Sequence, residues 1–270
     1  MLVVQITDPH IFAAGQLMEG RVDTAEGLRE ALGLAQGLQP DLILMTGDLV
    51  NDGQPEQYAH LRSLIQSVEV PLILVAGNHD ARSLLRALIA DLPHGVDPLP
   101  EDGSGRLEYD YRELLSSGGP RIIVVDTVVD GRHDGHISDE QIAALAERLE
   151  SGERTLIAQH HPPYTSGIGF MDAYGLAGGQ RELESLRAVP GVMGVVTGHL
   201  HRHAVHHDGS ITVVTAPSSA AQVALDLEGG PTTYTDEPGA FLIHLIDGSS
   251  ITTHVQPLGG AGTWRPSWAQ

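Results

Sequence analysis

Six short runs along the chain are apolar at nearly every position: 2–7, 42–46, 72–76, 122–126, 155–158 and 192–197. Such runs are typical of strands that are buried on both faces. Segments with helical periodicity lie between them, and two begin with capping-box patterns, at 23–26 and 138–141. A third helix is expected over about 55–68, because Pro55 suits a first helical turn. This alternation predicts right-handed βαβ units, a largely parallel sheet and the α/β class.

The pattern changes after residue 215. Strand-like runs follow without a convincing helix between them, at 213–214, 222–227, 241–246 and 251–256. We expect these runs to be antiparallel strands of a second sheet packed on the first. Because no linker or repeat divides the chain, we predict one domain over 1–257, with a core of about 1–215 and C-terminal strands at 216–257. A loose tail is expected at 258–270.

The composition excludes several classes of chemistry. All fifteen basic residues are arginine, and cysteine is absent, so P-loop lysines, Schiff bases, thiolate nucleophiles and cysteine-zinc sites are impossible. A net charge of −20 disfavours a nucleic-acid polymer as partner. The N-terminus lacks the basic flank and apolar stretch of a secretory signal, and no apolar run is long enough to cross a bilayer. We therefore expect a cytoplasmic protein without a membrane partner.

Five of the apolar runs end in carboxylate, imidazole or carboxamide side chains: Asp8, His10, Asp48, Asn78, His79, His160, His161, His199 and His201. Ligands of open α/β sheets bind at the carboxyl ends of strands, so these side chains are expected to share one site. Oxygen and nitrogen ligands without sulfur suit a pair of transition-metal ions such as Fe, Mn, Zn or Co. Two ions about 3.5–4 Å apart can clamp the attacking and departing oxygens of a phosphoryl group. Asp48 is the candidate for the carboxylate that both ions share.

In order along the chain, the motifs are Asp8-x-His10, Gly47-Asp48, Gly77-Asn78-His79-Asp80, His160-His161-Pro162-Pro163 and Gly198-His199-x-His201. They resemble the motifs of the calcineurin-like metallophosphoesterases, and more closely those of the class III cyclic-nucleotide and glycerophosphodiester phosphodiesterase branch. The resemblance covers about 1–215 and departs at Pro9, where threonine is common. It implies a four-layer α/β/β/α sandwich and a dinuclear metal-dependent phosphoric diester hydrolase.

The resemblance also implies roles for single residues. One metal ion would be held by Asp8, His10, Asp48 and His201, and the other by Asp48, Asn78, His160 and His199. A hydroxide bridging the two ions would attack phosphorus, because metal binding lowers the pKa of water toward about 7. His79 would bind the phosphate and act in catalysis, as a general acid or by stabilising the transition state, without binding metal.

Other residues near the motifs have open roles. His161 is either a contact to substrate or ligands, or a structural loop residue. In the loop 162–179, Tyr164, Phe170 and Tyr174 are expected to pack as a flap, with contact to the leaving group as the alternative. The histidines outside the motifs are expected to be surface or polar-filler residues: His60, His94, His133, His136, His244 and His254.

The predicted function is hydrolysis of small phosphodiesters, with 3',5'-cyclic nucleotides as the expected substrates. A glycerophosphodiesterase and a broad phosphomonoesterase are the alternatives within the same superfamily, while the net charge weighs against a nuclease. A non-catalytic scaffold is disfavoured because all seven ligand positions are kept. The sequence leaves open the identity of the metals, the natural leaving group and whether the chain forms a dimer or higher homo-oligomer.

Overall fold

The computed structural model describes residues 1–260, 264–266 and 268. Its strands, numbered in chain order, are β1 (Leu2–Ile6), β2 (Leu42–Met45), β3 (Leu72–Leu74), β4 (Tyr109–Tyr111), β5 (Arg121–Val124), β6 (Gly135–His136), β7 (Thr155–Ala158), β8 (Leu176–Ala177), β9 (Val192–Thr197), β10 (Ala204–Asp208), β11 (Ile211–Thr215), β12 (Gln222–Val223), β13 (Tyr234–Thr235), β14 (Ala240–Asp247) and β15 (Ser250–Pro257). Its helices are α1 (Thr24–Gly37), α2 (Pro55–Ile65), α3 (Arg82–Ala90), α4 (Asp139–Leu149), α5 (Gly169–Asp172) and α6 (Gly179–Arg187), with a 3-10 turn at Glu113–Ser117.

Two mixed sheets lie face to face. The first sheet has the strand order β15-β14-β1-β2-β3, and the second has the order β10-β11-β9-β7-β5-β4. Strands β1, β2 and β3 are parallel to one another, as are β5, β7, β9 and β11. The antiparallel strands lie at the edges, where β14 and β15 extend the first sheet and β4 and β10 flank the second.

Helices cover the outer face of each sheet. Helix α2 contacts α1 and α3, and the apolar residues of all three helices join one large core cluster with β1, β2 and β3. That cluster also contains Leu156 and Val196 of the second sheet, so it fills the space between the sheets. Helices α4 and α6 pack on the outer face of the second sheet through Leu145 and Leu183, which contact residues such as Ile157. These layers confirm the predicted α/β/β/α sandwich.

The strands were predicted at the correct positions in the sequence, but some of their pairing partners were predicted wrongly. All six apolar runs form strands within two residues of the predicted bounds. However, the first three lie in one sheet and the last three in the other, so a single parallel sheet was wrong. Strands β14 and β15 form no separate sheet, because β14 pairs with β1. Strand burial on both faces is common to both sheets, so local sequence could not distinguish them.

The remaining C-terminal predictions had mixed outcomes. The run at 213–214 lies in β11, which pairs parallel with β9, and the run at 222–227 yields only the short strand β12. A single domain over 1–257 stays a prediction. Much of the predicted tail at 258–270 lies outside the described residues.

The helices begin where capping residues allow them to. Ser138 accepts a hydrogen bond from the backbone of Gln141, whose side chain accepts one from the backbone of Ser138, so this capping box is complete. Asp23 accepts from the backbone of Glu26, but the Glu26 carboxylate pairs with Arg29 instead of closing the box. Among the described residues, no helix is both long and apolar enough to cross a membrane.

Candidate metal centre

The predicted ligands lie at one shared edge of the two sheets, directly after the strands that carry them. The first sheet supplies Asp8 and His10 after β1, Asp48 after β2 and Asn78 after β3. The second sheet supplies His160 after β7, and His199 and His201 after β9. The sheets meet here through a hydrogen bond of 3.0 Å from the His199 backbone N–H to Asp8 Oδ2. All but the half-buried Asn78 are buried.

Several ligands sit on a strained backbone. Among the described residues, seven other than glycine have positive φ, and five of these are predicted ligands with φ of 42–72°: Asp8, His10, Asp48, His199 and His201. A residue with a Cβ adopts this region at a cost and keeps it only where the surroundings enforce it. The enforcement is visible at Gly198, where a Cβ would lie 2.1 Å from Thr7 Oγ1. Strain concentrated on one set of side chains is a mark of a functional site.

The first ligand group (Asp8, His10, Asp48 and His201) places its donor atoms within 4.8 Å of one another. The Nε2 atoms of His10 and His201 are 2.9 Å apart, and His201 Nε2 is 3.6 Å from Asp8 Oδ1. His201 donates its Nδ1–H to the Ala221 carbonyl over 2.9 Å, which leaves a lone pair on Nε2. Such a bond at the outer nitrogen is usual for a histidine that binds metal. These residues fit a metal ion.

The second ligand group (Asp48, Asn78, His160 and His199) adjoins the first. His160 Nε2 lies 3.1 Å from Asn78 Oδ1, while its Nδ1–H donates to the Thr46 carbonyl over 2.9 Å. His199 is turned the other way, because its Nε2–H donates to the Tyr174 carbonyl over 3.0 Å and leaves Nδ1 for a ligand. In both rings the outer nitrogen is hydrogen-bonded to the backbone and the inner nitrogen faces the ligand group.

Asp48 lies between the two groups. One carboxylate oxygen, Oδ2, is 3.6 Å from His10 Nε2 in the first ligand group and 3.4 Å from His160 Nε2 in the second. The other oxygen, Oδ1, accepts the backbone N–H of His79 over 2.9 Å, which fixes the carboxylate plane. This is the geometry expected of a carboxylate shared by two cations.

Burial and neighbouring charges set the protonation of these groups. Burial lowers the pKa of His10 and of His199 well below the usual value, so both imidazoles are neutral. For Asp48, burial acts to raise the pKa, but His160 and other histidines outweigh it and hold the pKa well below its usual range. For His160, burial acts to lower the pKa, but Asp48 outweighs it and raises the pKa to about 9. An ionised carboxylate among imidazoles suits Mn, Fe, Co or Zn.

His79 lies beside the ligands and is oriented by the backbone. Its Nδ1–H donates to the Asn51 carbonyl over 2.5 Å, and its ring centre is 4.7 Å from that of His10. Because Nδ1 is occupied, Nε2 is the atom available to a substrate in the adjoining cavity.

His161, by contrast, has both ring nitrogens occupied within the protein. Its Nδ1 accepts from Thr127 Oγ1 over 2.8 Å, and its Nε2–H donates to the His133 carbonyl over 3.2 Å. Burial lowers its pKa to about 3, so the ring is neutral. Of the two roles left open, this geometry favours the structural one, in which His161 packs behind His160 and His199.

The ligands open into a cavity of about 450 Å³. Its mouth is largely apolar and aromatic, and the residues there include Phe12, Met18, Phe170, Met171, Tyr174 and Tyr234. Phe170 and Tyr174 therefore line the cavity, and their contact with a leaving group stays a prediction. Tyr164 follows the packing expectation instead, since its ring stacks on that of His206 and its hydroxyl bonds to Thr215.

Two of the histidines outside the motifs, which were expected to be surface or polar-filler residues, have places that bear on the site. His133 is exposed, and it also lines the cavity, with Nδ1 3.3 Å from Asn78 Nδ2 and its ring centre 5.2 Å from that of His79. His244 is a polar residue of the interior, since it is buried between the sheets with both ring nitrogens hydrogen-bonded. Neither has a sequence signal, since both lie far from the motifs along the chain.

Comparisons with known proteins agree with this geometry. The sequence model of the calcineurin-like phosphoesterase family matches residues 1–203. A probable cyclic nucleotide phosphodiesterase of Rhodococcus erythropolis is 32% identical over 266 residues, which are 95% of this chain and 83% of that protein. A probable glycerophosphodiester phosphodiesterase, GpdQ, of Arcobacter nitrofigilis is 30% identical over 268 residues, 96% of this chain and 94% of that protein. A solved dimetal phosphatase of Danio rerio has the same fold, with a TM-score of 0.64, 17% identity and coverage of 95% and 98% of the two chains.

Proposed function

Because this chain belongs to the calcineurin-like phosphoesterase family and is a metal-dependent phosphodiester hydrolase, we propose that it cleaves small diesters, foremost 3',5'-cyclic nucleotides. The observation that carries the proposal is the position of Asp48 Oδ2, within 3.6 Å of His10 and 3.4 Å of His160. One carboxylate serving two groups of ligands is what a pair of cations on one phosphoryl group requires.

We assign one metal ion to the first ligand group and the other to the second. Bound there, two ions of Mn, Fe, Co or Zn would supply hydroxide at neutral pH and neutralise charge on the phosphoryl oxygens. The protein orients the ligands for this task. Thr46 and Ala221 accept the outer N–H groups of His160 and His201, so that both Nε2 atoms point inward.

His79 is assigned to the leaving group. Asn51 holds the Nδ1–H of this ring, and a proton carried on Nε2 can pass to the departing oxygen. An alkoxide is a strong base, so its departure from phosphorus is slow without such a proton. His133 and Asn78 adjoin His79 at the cavity wall and are placed to contact the diester.

The cavity favours a small substrate over a polymer. Its volume of about 450 Å³ lies in the range of small-molecule sites, which is about 300–1,000 Å³. None of its lining residues is an arginine, and the chain has no lysine, so a long phosphate backbone finds no cationic track. The aromatic rings of Phe170, Tyr174 and Tyr234 offer flat apolar surface to a planar leaving group such as a nucleoside.

The test is a panel of substrates with protein loaded separately with each metal. The panel contains cyclic nucleotides, glycerophosphodiesters, a phosphomonoester and plasmid DNA, and an Asp48→Asn variant serves as the control for metal-dependent turnover. We expect the highest kcat/KM on cyclic nucleotides. A higher value on glycerophosphodiesters would assign the chain to the activity named for its Arcobacter relative. A rate on DNA equal to that on small diesters would contradict the proposal.

A further inference from the structure

Gln5 is a fully buried amide in β1, where the two sheets face each other. Its Nε2 donates to Thr46 Oγ1 and to the Thr197 carbonyl, each over 2.9 Å. Thr46 directly follows β2 in the first sheet, whereas Thr197 is the last residue of β9 in the second. One side chain therefore hydrogen-bonds across both sheets.

The bonded positions lie immediately behind the metal centre. Two residues after Thr46 comes Asp48, two after Thr197 comes His199, and three after Gln5 comes Asp8. The Thr46 carbonyl also accepts the Nδ1–H of His160. A displacement of the Gln5 side chain would therefore displace metal-ligand residues on both sheets.

The orientation of the Gln5 amide follows from its partners. A carbonyl oxygen can only accept, so Thr197 requires the NH₂ group of Gln5, and Oε1 then faces His244. Oε1 can only accept as well, so His244 must donate its Nε2–H over 3.1 Å. Its Nδ1 then accepts from Thr253 Oγ1 over 2.9 Å. Burial lowers the pKa of His244 to about 4, which keeps the ring neutral, as this chain of bonds requires.

We propose that Gln5, held in one orientation by His244, is a positioning residue that sets the spacing between the metal ligands of the two sheets. Apolar contacts between the sheets are non-directional and do not fix such a spacing. A buried polar network in which each group has its partner does fix it. The inference rests on the metal ligands of the proposed function, but neither of its tests measures turnover.

The first test compares two variants of the full chain. Gln5→Met keeps the side-chain length but removes the bonds to Thr46 and Thr197, and Thr253→Val removes a bond at the far end of the same network. In a titration with Mn²⁺, we expect Gln5→Met to lose about 10–100-fold in metal affinity, the usual effect of removing a group behind metal ligands, and Thr253→Val to stay near wild type. A merely structural role would lower the Tm of both variants without changing metal affinity, and that result would overturn the inference.

The second test needs no variant and can therefore overturn the inference even if Gln5→Met does not fold. The nitrogen shifts of His244, measured by NMR in the metal-free wild type, report which ring nitrogen carries the proton. We expect the Nε2–H form, and the Nδ1–H form would overturn the inference. Neither measurement depends on turnover. A protein that binds two ions without cleaving diesters would therefore refute the proposed function but not the inference about Gln5.

Discussion

A buried carboxyl outside the metal centre makes stability depend on pH. Glu182 in α6 is fully buried, and its Oε2 accepts a hydrogen bond of 3.2 Å from Gln159 Nε2. The remaining oxygens of both side chains have no hydrogen-bond partner. Burial raises the pKa of Glu182 to about 7. With this raised pKa the carboxyl of Glu182 stays protonated, and its O–H is a hydrogen-bond donor that the two unpartnered oxygens otherwise lack.

The sign and size of the effect follow from linkage. Since the pKa is raised from 4.5 to about 7, the folded state binds the proton more tightly, so this stability is complete below about pH 4.5 and is lost as the pH rises through 7. The difference between a pKa of 4.5 and one of about 7 corresponds to about 3 kcal/mol in total, of which about 2–3 kcal/mol is lost between about pH 5 and about pH 8. For a chain of this size, that loss lowers Tm by about 5–10 °C.

Glu182→Gln keeps the shape of the side chain and removes the titration. We expect the stability of this variant relative to wild type to improve by about 2–3 kcal/mol between about pH 5 and about pH 8, measured by urea unfolding with chelator present. Glu184→Gln is the matched control, because Glu184 lies exposed on the same helix and its replacement also removes one carboxylate. If the two variants show the same pH dependence, Glu182 is ionised in the folded protein and the reasoning is refuted.

Two further predictions concern the metal centre. Asp48→Ala should lose both metal ions, since one carboxylate adjoins both ligand groups; elemental analysis after reconstitution checks this, and retention of one full equivalent would contradict it. His79→Ala should keep both ions, lose on the order of 100-fold on cyclic or glycerol diesters, and lose far less on bis-nitrophenyl phosphate, whose leaving group needs no proton. Equal losses on the two substrates would assign His79 to charge stabilisation in the transition state.

The ligand residues were predictable because their signal is local. Asp8 follows an apolar run directly, Asp48 and His199 each follow one after a single glycine, and chain direction alone brings the ends of parallel strands to one edge. The glycines at 47, 77 and 198 indicated a closely packed backbone beside the ligands, and in the structure a Cβ at these positions would collide with neighbouring atoms. The side-chain chemistry after each strand and the direction of the strands were therefore sufficient to predict the ligand residues.

What sequence could not predict depends on contacts between distant segments. His133 reaches the cavity because its loop is held by Arg82, which pairs with Asp126 over 2.8 Å and also with Asp130. Gln5 reads as an ordinary strand residue until the second sheet brings the Thr197 carbonyl against it. The division of the strands between two sheets is decided in the same way, by long-range packing that leaves no local pattern.

The pairing of β1 with β14 has a consequence for how the protein is made. One side of β1 pairs with β2 early in synthesis, but the other side waits for residues 240–247. At about 5–20 residues per second, the ribosome needs roughly 10–50 s to deliver that partner. During this time the nascent chain exposes a strand edge that can pair with another chain. The C-terminal strands carry no proposed ligand, yet their arrival ends the period in which a nascent chain is open to aggregation.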